Sequence, residues 1–323
     1  MLRFKKINED TVNFMKESIG ESYDYYEEAY CKINEMIPSE NVHILNSANS
    51  CLITLAESIP GPVLVCDMGG WNGFIRSCGL FDKNVEYVET DNGLINIDSL
   101  DDYLEEHDVK SLYITSLAGY TAFQPLDEIE KLCDVHDVLL IVDISGSVGC
   151  EKLNNIGDLQ VSSTGSPKIV NIENGGFICN ITGKLELNKH LLKSLKADNI
   201  TCAGIFHEIN RSSEILEKSI DMNSYFKEKI VSRDIPVIHP EHKGLNTIIL
   251  SSSKSKAKKV AYNIRQHLEL DGNIISVGPS YNRIKKPCVI VEIKNLDVNS
   301  LIFEDLDELC DIVVNEFRKV ECD

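Results

Sequence analysis

The stretch Val138-Leu-Leu-Ile-Val-Asp143-Ile-Ser-Gly-Ser-Val-Gly149 decides the fold. A run of apolar, largely β-branched residues with no polar alternation reads as a strand buried on both faces, as in parallel sheets covered by helices. The run stops at a carboxylate followed by serines and glycines, the composition of a loop at a strand's carboxyl end.

The same grammar repeats on either side. Val63-Leu-Val-Cys66, Ser111-Leu-Tyr-Ile-Thr115 and Gly176-Phe-Ile-Cys179 are short apolar runs, while Ser50–Ser58 and Leu126–His136 carry helical spacing. This alternation over residues 41–180 predicts an α/β fold, a mostly parallel sheet with helices on both faces. Residues 8 to about 37 are acidic and helically spaced, with Tyr23, Tyr25, Tyr26 and Tyr30 placed to cover a core or an interface. After about residue 184 a long helical region runs to Lys229. Then follow a strand (Asn246–Leu250), a helix (Ser255–Leu268), strands Asn273–Val277 and Val289–Lys294, and a helix (Leu301–Lys319). The expected organisation is a large domain over residues 1–232 and a small α+β C-terminal domain over 233–323.

Charge narrows the partners. With 32 basic and 51 acidic residues among 323, the net charge of −19 repels nucleic-acid backbones and anionic membranes. The one basic cluster, Lys254, Lys256, Lys258 and Lys259, reads as the solvated start of a helix. Eleven cysteines without a C-x-x-C pair predict reduced thiols in a cytoplasmic protein, neither disulfides nor a metal site. Met1–Lys6 is followed by no apolar h-region, so no signal peptide is expected.

Ligands of parallel α/β sheets sit at the carboxyl ends of strands, so polar residues there matter most. Asn46-Ser-Ala-Asn-Ser50 follows the apolar His43-Ile-Leu45 and opens a helix; its free N–H groups suit a phosphate or serve as an ordinary N-cap. Asp143, at the tip of its apolar strand, is costly without a charged partner, and a pyridinium N–H would be one; taken alone it could equally be a metal ligand or a loop cap. Ser162-Ser-Thr-Gly-Ser-Pro-Lys168 places a lysine among hydroxyls, shortly before Glu173-Asn-Gly-Gly176. In a cleft such an amine can lose its proton and attack a carbonyl.

In order, these segments resemble the fold-type I pyridoxal 5′-phosphate (PLP) enzymes of the aspartate aminotransferase superfamily. They look closest to the sugar aminotransferases and to selenocysteine synthase and its archaeal relatives. The resemblance rests on Asn46–Ser50, Gly93-Leu-Ile-Asn-Ile-Asp98, Asp143–Gly149 and Ser163–Gly176, with seven residues from Lys168 to Gly175. It implies a Schiff-base Lys168, Asp143 facing the pyridine nitrogen, and phosphate contacts from Ser47, Ala48, Asn49, Ser163 and Ser166. Trp71, in Asp67-Met-Gly-Gly-Trp-Asn-Gly73, stands where such enzymes place a ring over the cofactor.

The departures concern substrate. Ser145 stands where sugar aminotransferases usually carry alanine, and the strand Cys288–Lys294 lacks the arginine that grips an α-carboxylate. Arg283 and Arg76 are the nearest substitutes. The implied activity is that of a homodimeric enzyme on a small amino substrate, first an aminotransferase. A lyase or a sulfur/selenium transferase is the alternative, and the latter wants an exposed thiolate, for which Cys202 and Cys288 lie near expected loops. An inactive binding or regulatory protein keeping the fold is the rival from another class. A nucleotide-binding protein using Asn46–Ser50 lacks the glycine-rich signatures.

Overall fold

The structure, a computed structural model, describes residues 2–280 and 284–321. Its first layer is helical. Asn8 and Asp24 accept hydrogen bonds from N–H groups at the starts of α1 (Glu9–Glu17) and α2 (Tyr25–Met36), so the N-terminal stretch breaks into two helices around Gly20. The α/β unit follows as β1 (Asn41–Leu45), α3 (Ala48–Ser58), β2 (Val63–Cys66), α4 (Asn72–Gly79), β3 (Val85–Val88), α5 (Ile97–Glu106) and β4 (Ser111–Thr115). A small hairpin of β5 (Leu117–Ala118) and β6 (Ala122–Phe123) precedes α6 (Leu126–Val135), β7 (Leu139–Asp143), β8 (Leu159–Ser163) and β9 (Gly176–Asn180).

Seven of these strands form one sheet in the order β1-β9-β8-β7-β4-β2-β3. Strand β9 alone runs against its neighbours, pairing antiparallel with both β8 and β1. Period-two alternation sorts the strand side chains to two cores. Ile44, Leu64, Leu112, Ile114, Leu140, Val142 and Phe177 face one side, and Leu45, Val63, Val65, Tyr113, Ile141, Val161 and Ile178 the other. Helices cover both faces, as the unbroken apolar runs require.

Strands β3 and β8 are not evident in the sequence. β3 lies at a sheet edge and buries fully only Val88. In β8 the buried Gln160 and Ser162 and the half-buried Ser163 break the apolar signal. Gln160 is accommodated because its amide donates to the carbonyls of Leu153 and Ile156.

The expected single helical region after residue 184 is instead three helices: α7 (Lys189–Ser194), α8 (Asn199–Ile209) and α9 (Ser212–Val231). Asn188 and Asp198 cap the first two. The chain then forms β10 (Thr247–Leu250), α10 (Lys254–His267), β11 (Ile275–Ser280), β12 (Ile284–Val291) and α11 (Phe303–Glu321). Strands β10, β12 and β11 make an antiparallel sheet backed by α10 and α11. The core of this smaller unit begins inside α9, at Phe226 and Ile230, and Leu2 and Phe4 from the start of the chain pack against it.

Candidate active site

In the large sheet the chain goes from β2 outward to β3, then returns to place β4 on β2's other side. That reversal opens a crevice at the strands' carboxyl ends. There Thr115 ends β4, Asp143 ends β7 and Ser163 ends β8, with Thr115 and Asp143 paired in register. All three line a cavity of about 380 Å³ that also takes in Ser47, Ala48, Asn49, Gly70, Trp71, Tyr120, Ser145, Ser166, Lys168 and Lys294.

Each wall has a local cause. Ser47 caps α3 by accepting from the Ser50 amide at 3.1 Å, so the remaining first-turn N–H groups face the cavity's rim. Gly176 packs directly behind this turn, where a Cβ would stand 3.0 Å from both N and Cα of Ala48. Asp143 is gripped through both oxygens: the Tyr113 hydroxyl donates to Oδ2 at 2.8 Å and the Ser145 amide to Oδ1 at 2.9 Å. Tyr113 is itself fixed by a parallel stack on Phe74, with ring centroids 3.7 Å apart. Burial, then the nearby Asp143 charge, holds the Tyr113 hydroxyl firmly protonated. The Ser145 hydroxyl accepts from the Ser163 amide at 2.8 Å, so Ser145 ties the loop after β7 to the end of β8.

Lys168 lies in the irregular segment between β8 and β9, and its Nζ is 2.6 Å from the Tyr120 hydroxyl. Lys294 approaches the same ring from the small unit, its Nζ 5.1 Å from the centroid, and pairs with Glu292 at 3.1 Å. Trp71 stays 38% exposed at the rim. Its indole lies over Gly73, where a Cβ would stand 2.2 Å from Nε1. A second glycine contact seats this loop, since a Cβ on Gly69 would come within 2.9 Å of Gly93 Cα.

The cavity therefore gathers Ser47, Ala48, Asn49, Trp71, Asp143, Ser145, Ser163, Ser166 and Lys168. Arg76 is exposed on α4 and is not among the lining residues. Arg283 lies outside the described residues. The cysteines expected near loops are not there: Cys202 is inside α8 and Cys288 inside β12, both fully buried. Burial pushes their thiols up to about 12 and about 11, the reverse of a reactive thiolate.

Tyr120 and Lys294 carry no sequence signal that finds them, whereas Thr115 ends an expected strand and could have been found by the rule that singled out Asp143. Tyr120 follows a glycine after a strand, but only the β5–β6 hairpin shows that it faces Lys168. Lys294 reads as an ordinary polar strand end.

Nothing in the described residues is long and apolar enough to form a membrane-crossing helix. The architecture is the fold of the type I PLP-dependent enzymes. It is similar to a serine palmitoyltransferase variant from S. paucimobilis with a bound PLP–myriocin aldimine, at TM-score 0.79 and 11% identity over 98% of this chain and 85% of that one. It is also similar to a NifS-like protein from Rickettsia africae (TM-score 0.74, 11% identity, 98% and 97% of the two chains). An alanine–glyoxylate aminotransferase from Nostoc sp. gives 0.73 and 14% identity over 97% and 93%. Residues 213–314 match the model of the MJ1341 family C-terminal domain. No curated protein matches the sequence.

Proposed function

We propose that the chain is a PLP-dependent enzyme acting on a small amino compound, with aminotransfer as its first reaction. The observation that carries this reading is one cavity holding a lysine amine, a doubly anchored carboxylate and a capped helix N-terminus. In this reading Lys168 holds the cofactor covalently. The N-terminus of α3 with Ser47, Ala48 and Asn49, and the hydroxyls of Ser163 and Ser166, receive its phosphate. Asp143 would hold the ring nitrogen and Trp71 would cover the ring.

PLP would supply the electron sink that makes a substrate Cα–H acidic. The chain's own residues do the rest. Asp143, held between two donors, would pair with a proton on the ring nitrogen. Lys168 would carry the Cα proton, with the Tyr120 hydroxyl placed to steady its Nζ. Among the described lining residues there is no arginine, and Lys294, which pairs with Glu292, would bring a cation towards the substrate's carboxylate.

Purified protein given PLP should develop an absorbance band at roughly 410–430 nm. Borohydride should fix the added mass on Lys168, and Lys168→Ala should abolish both. A protein that stays colourless and unlabelled with excess PLP would leave the fold as a binding or regulatory scaffold. Among reaction classes, the buried thiols of Cys202 and Cys288 weigh against sulfur or selenium transfer through either residue. We further propose a homodimer, which light scattering would measure directly.

A further inference from the structure

The segment that carries Lys168 lacks regular structure: residues 164–172 belong to no helix or strand. Residues 166–167 form a turn, and just after it the carbonyls of Lys168 and Ile169 are approached by the ammonium of Lys5. Lys5 Nζ donates to the Lys168 carbonyl at 2.5 Å and reaches the Ile169 carbonyl at 3.5 Å. The side chain is buried, only 8% exposed.

The main chain of Lys5 belongs to the other unit. Its N–H donates to the Asn295 carbonyl at 2.8 Å, and the Asp297 N–H donates to the Arg3 carbonyl at 2.9 Å. Phe4 bridges to Leu296 and packs on Gly272, where no Cβ would fit against its ring. The anchor residue Asn295 directly follows Lys294 of the cavity. A short segment is thus fixed to the small unit, and one side chain crosses from it to the backbone of the proposed cofactor lysine. The charge on Lys5 is attracted by Glu208 and Asp297 and opposed by the like charge of Arg211. Glu208 is in turn held by the Thr11 hydroxyl at 2.6 Å.

We infer that Lys5 is a positioning residue for Lys168, tying the reactive lysine's main chain to the edge of the small unit. An ammonium is the right group for this task. It is a strong donor to carbonyls, and its cost of burial is met only while those carbonyls stay in place. Loss of the tie frees the 165–172 segment without removing any cavity-lining group. The inference rests on the reading of Lys168 as the cofactor lysine, but its first measurement does not involve PLP.

The test compares full-length wild type with Lys5→Met and Lys5→Arg. Hydrogen exchange of peptides covering 165–172, read without PLP, should speed up about tenfold in Lys5→Met and little in Lys5→Arg, with α3 and β7 unchanged. The rate of PLP attachment at Lys168, trapped with borohydride and mapped by mass, should fall several-fold in Lys5→Met and recover in Lys5→Arg. Wild type that takes up no PLP sinks the cofactor reading and leaves the exchange arm to judge Lys5. Unchanged exchange in Lys5→Met overturns the inference, as does loosening spread evenly over the protein. Should Lys5→Met not fold, Lys5→Gln, which keeps a donor, takes its place; if that fails to fold as well, Lys5 holds the fold in general and the inference is wrong.

Discussion

The Tyr120 hydroxyl stands 2.6 Å from Lys168 Nζ, and the Lys294 ammonium lies 5.1 Å from the centroid of the same ring. One phenol therefore touches the proposed cofactor lysine with its polar tip and a small-unit cation with its face. The ring is seated by Gly146, where a Cβ would come within 2.5 Å of Tyr120 Cε1. Its carbonyl receives the N–H groups of Leu245 and Asn246 at 2.7 and 3.0 Å.

Tyr120→Phe separates these contacts, because it keeps the ring and deletes only the hydroxyl. A hydrogen bond to a charged group contributes about 1.5–3 kcal/mol, which corresponds to a ten- to hundredfold fall in turnover if it acts in the reaction. The fold should persist, and circular dichroism alongside single-donor kinetics would check both. Turnover equal to wild type would remove Tyr120 from the chemistry.

Asp143→Asn probes the opposite wall. The carboxylate accepts from Tyr113 and from the Ser145 amide, so the amide side chain can satisfy only one of these donors in the same way. More important, it no longer offers a negative charge to a protonated ring nitrogen. PLP affinity, titrated by absorbance, should weaken by about ten- to a hundredfold. Asp143→Glu should not recover it, since the longer chain would displace the carboxylate from both donors.

These residues also show what the sequence could tell. Asp143 and the Ser47 cap are legible because one ends an apolar run and the other opens a helix, and strand ends of parallel sheets are where ligands bind; Lys168 is legible only from its serines, its glycines and the family spacing to Gly175. Tyr120, Lys294 and Lys5 are not, because their roles arise from distant segments meeting. Lys5 and Lys168 are 163 positions apart, and no local pattern couples them. The same limit applies to the fold. Unbroken apolar strands announce themselves, whereas β8 hides behind Gln160, Ser162 and Ser163, and the reversed direction of β9 leaves no mark on its own residues.

Lys227 gives a prediction in pH. It is 2% exposed and donates to the carbonyls of Thr121, His239 and His242 at 3.0, 3.1 and 2.7 Å. Burial lowers its pKa from 10.5 to about 8. Below pH 8 both folded and unfolded chains hold the proton, and the full cost of burying the charge is present. Between 8 and 10.5 the unfolded chain binds the proton and the folded chain does not, so this group's contribution to stability rises with pH. Lys227→Met removes that titration. Its stability relative to wild type should therefore decline from pH 8 to 10.5, by up to about 3 kcal/mol. Denaturant melts at pH 7, 8.5 and 10 would read the trend, and a difference independent of pH would refute it.

Gly176→Ala tests the cradle from behind. Gly176 opens β9 between Leu45 of β1 and Ser163 of β8. An added Cβ would stand 2.7 Å from the Ser162 carbonyl oxygen and 3.0 Å from both N and Cα of Ala48. All these atoms are backbone, so no flexible side chain can yield, and either β8 or the first turn of α3 must move. Overpacking of this kind costs about 1–3 kcal/mol. If the strain is relieved by displacing α3, the N–H groups proposed to receive phosphate shift with it, and PLP affinity should drop roughly tenfold while Lys168 stays chemically intact. Gly79→Ala is the control, since its Cβ would meet nothing within 4 Å and alanine suits the helix better than glycine. Equal PLP affinity in both variants would place the phosphate elsewhere than on the first turn of α3.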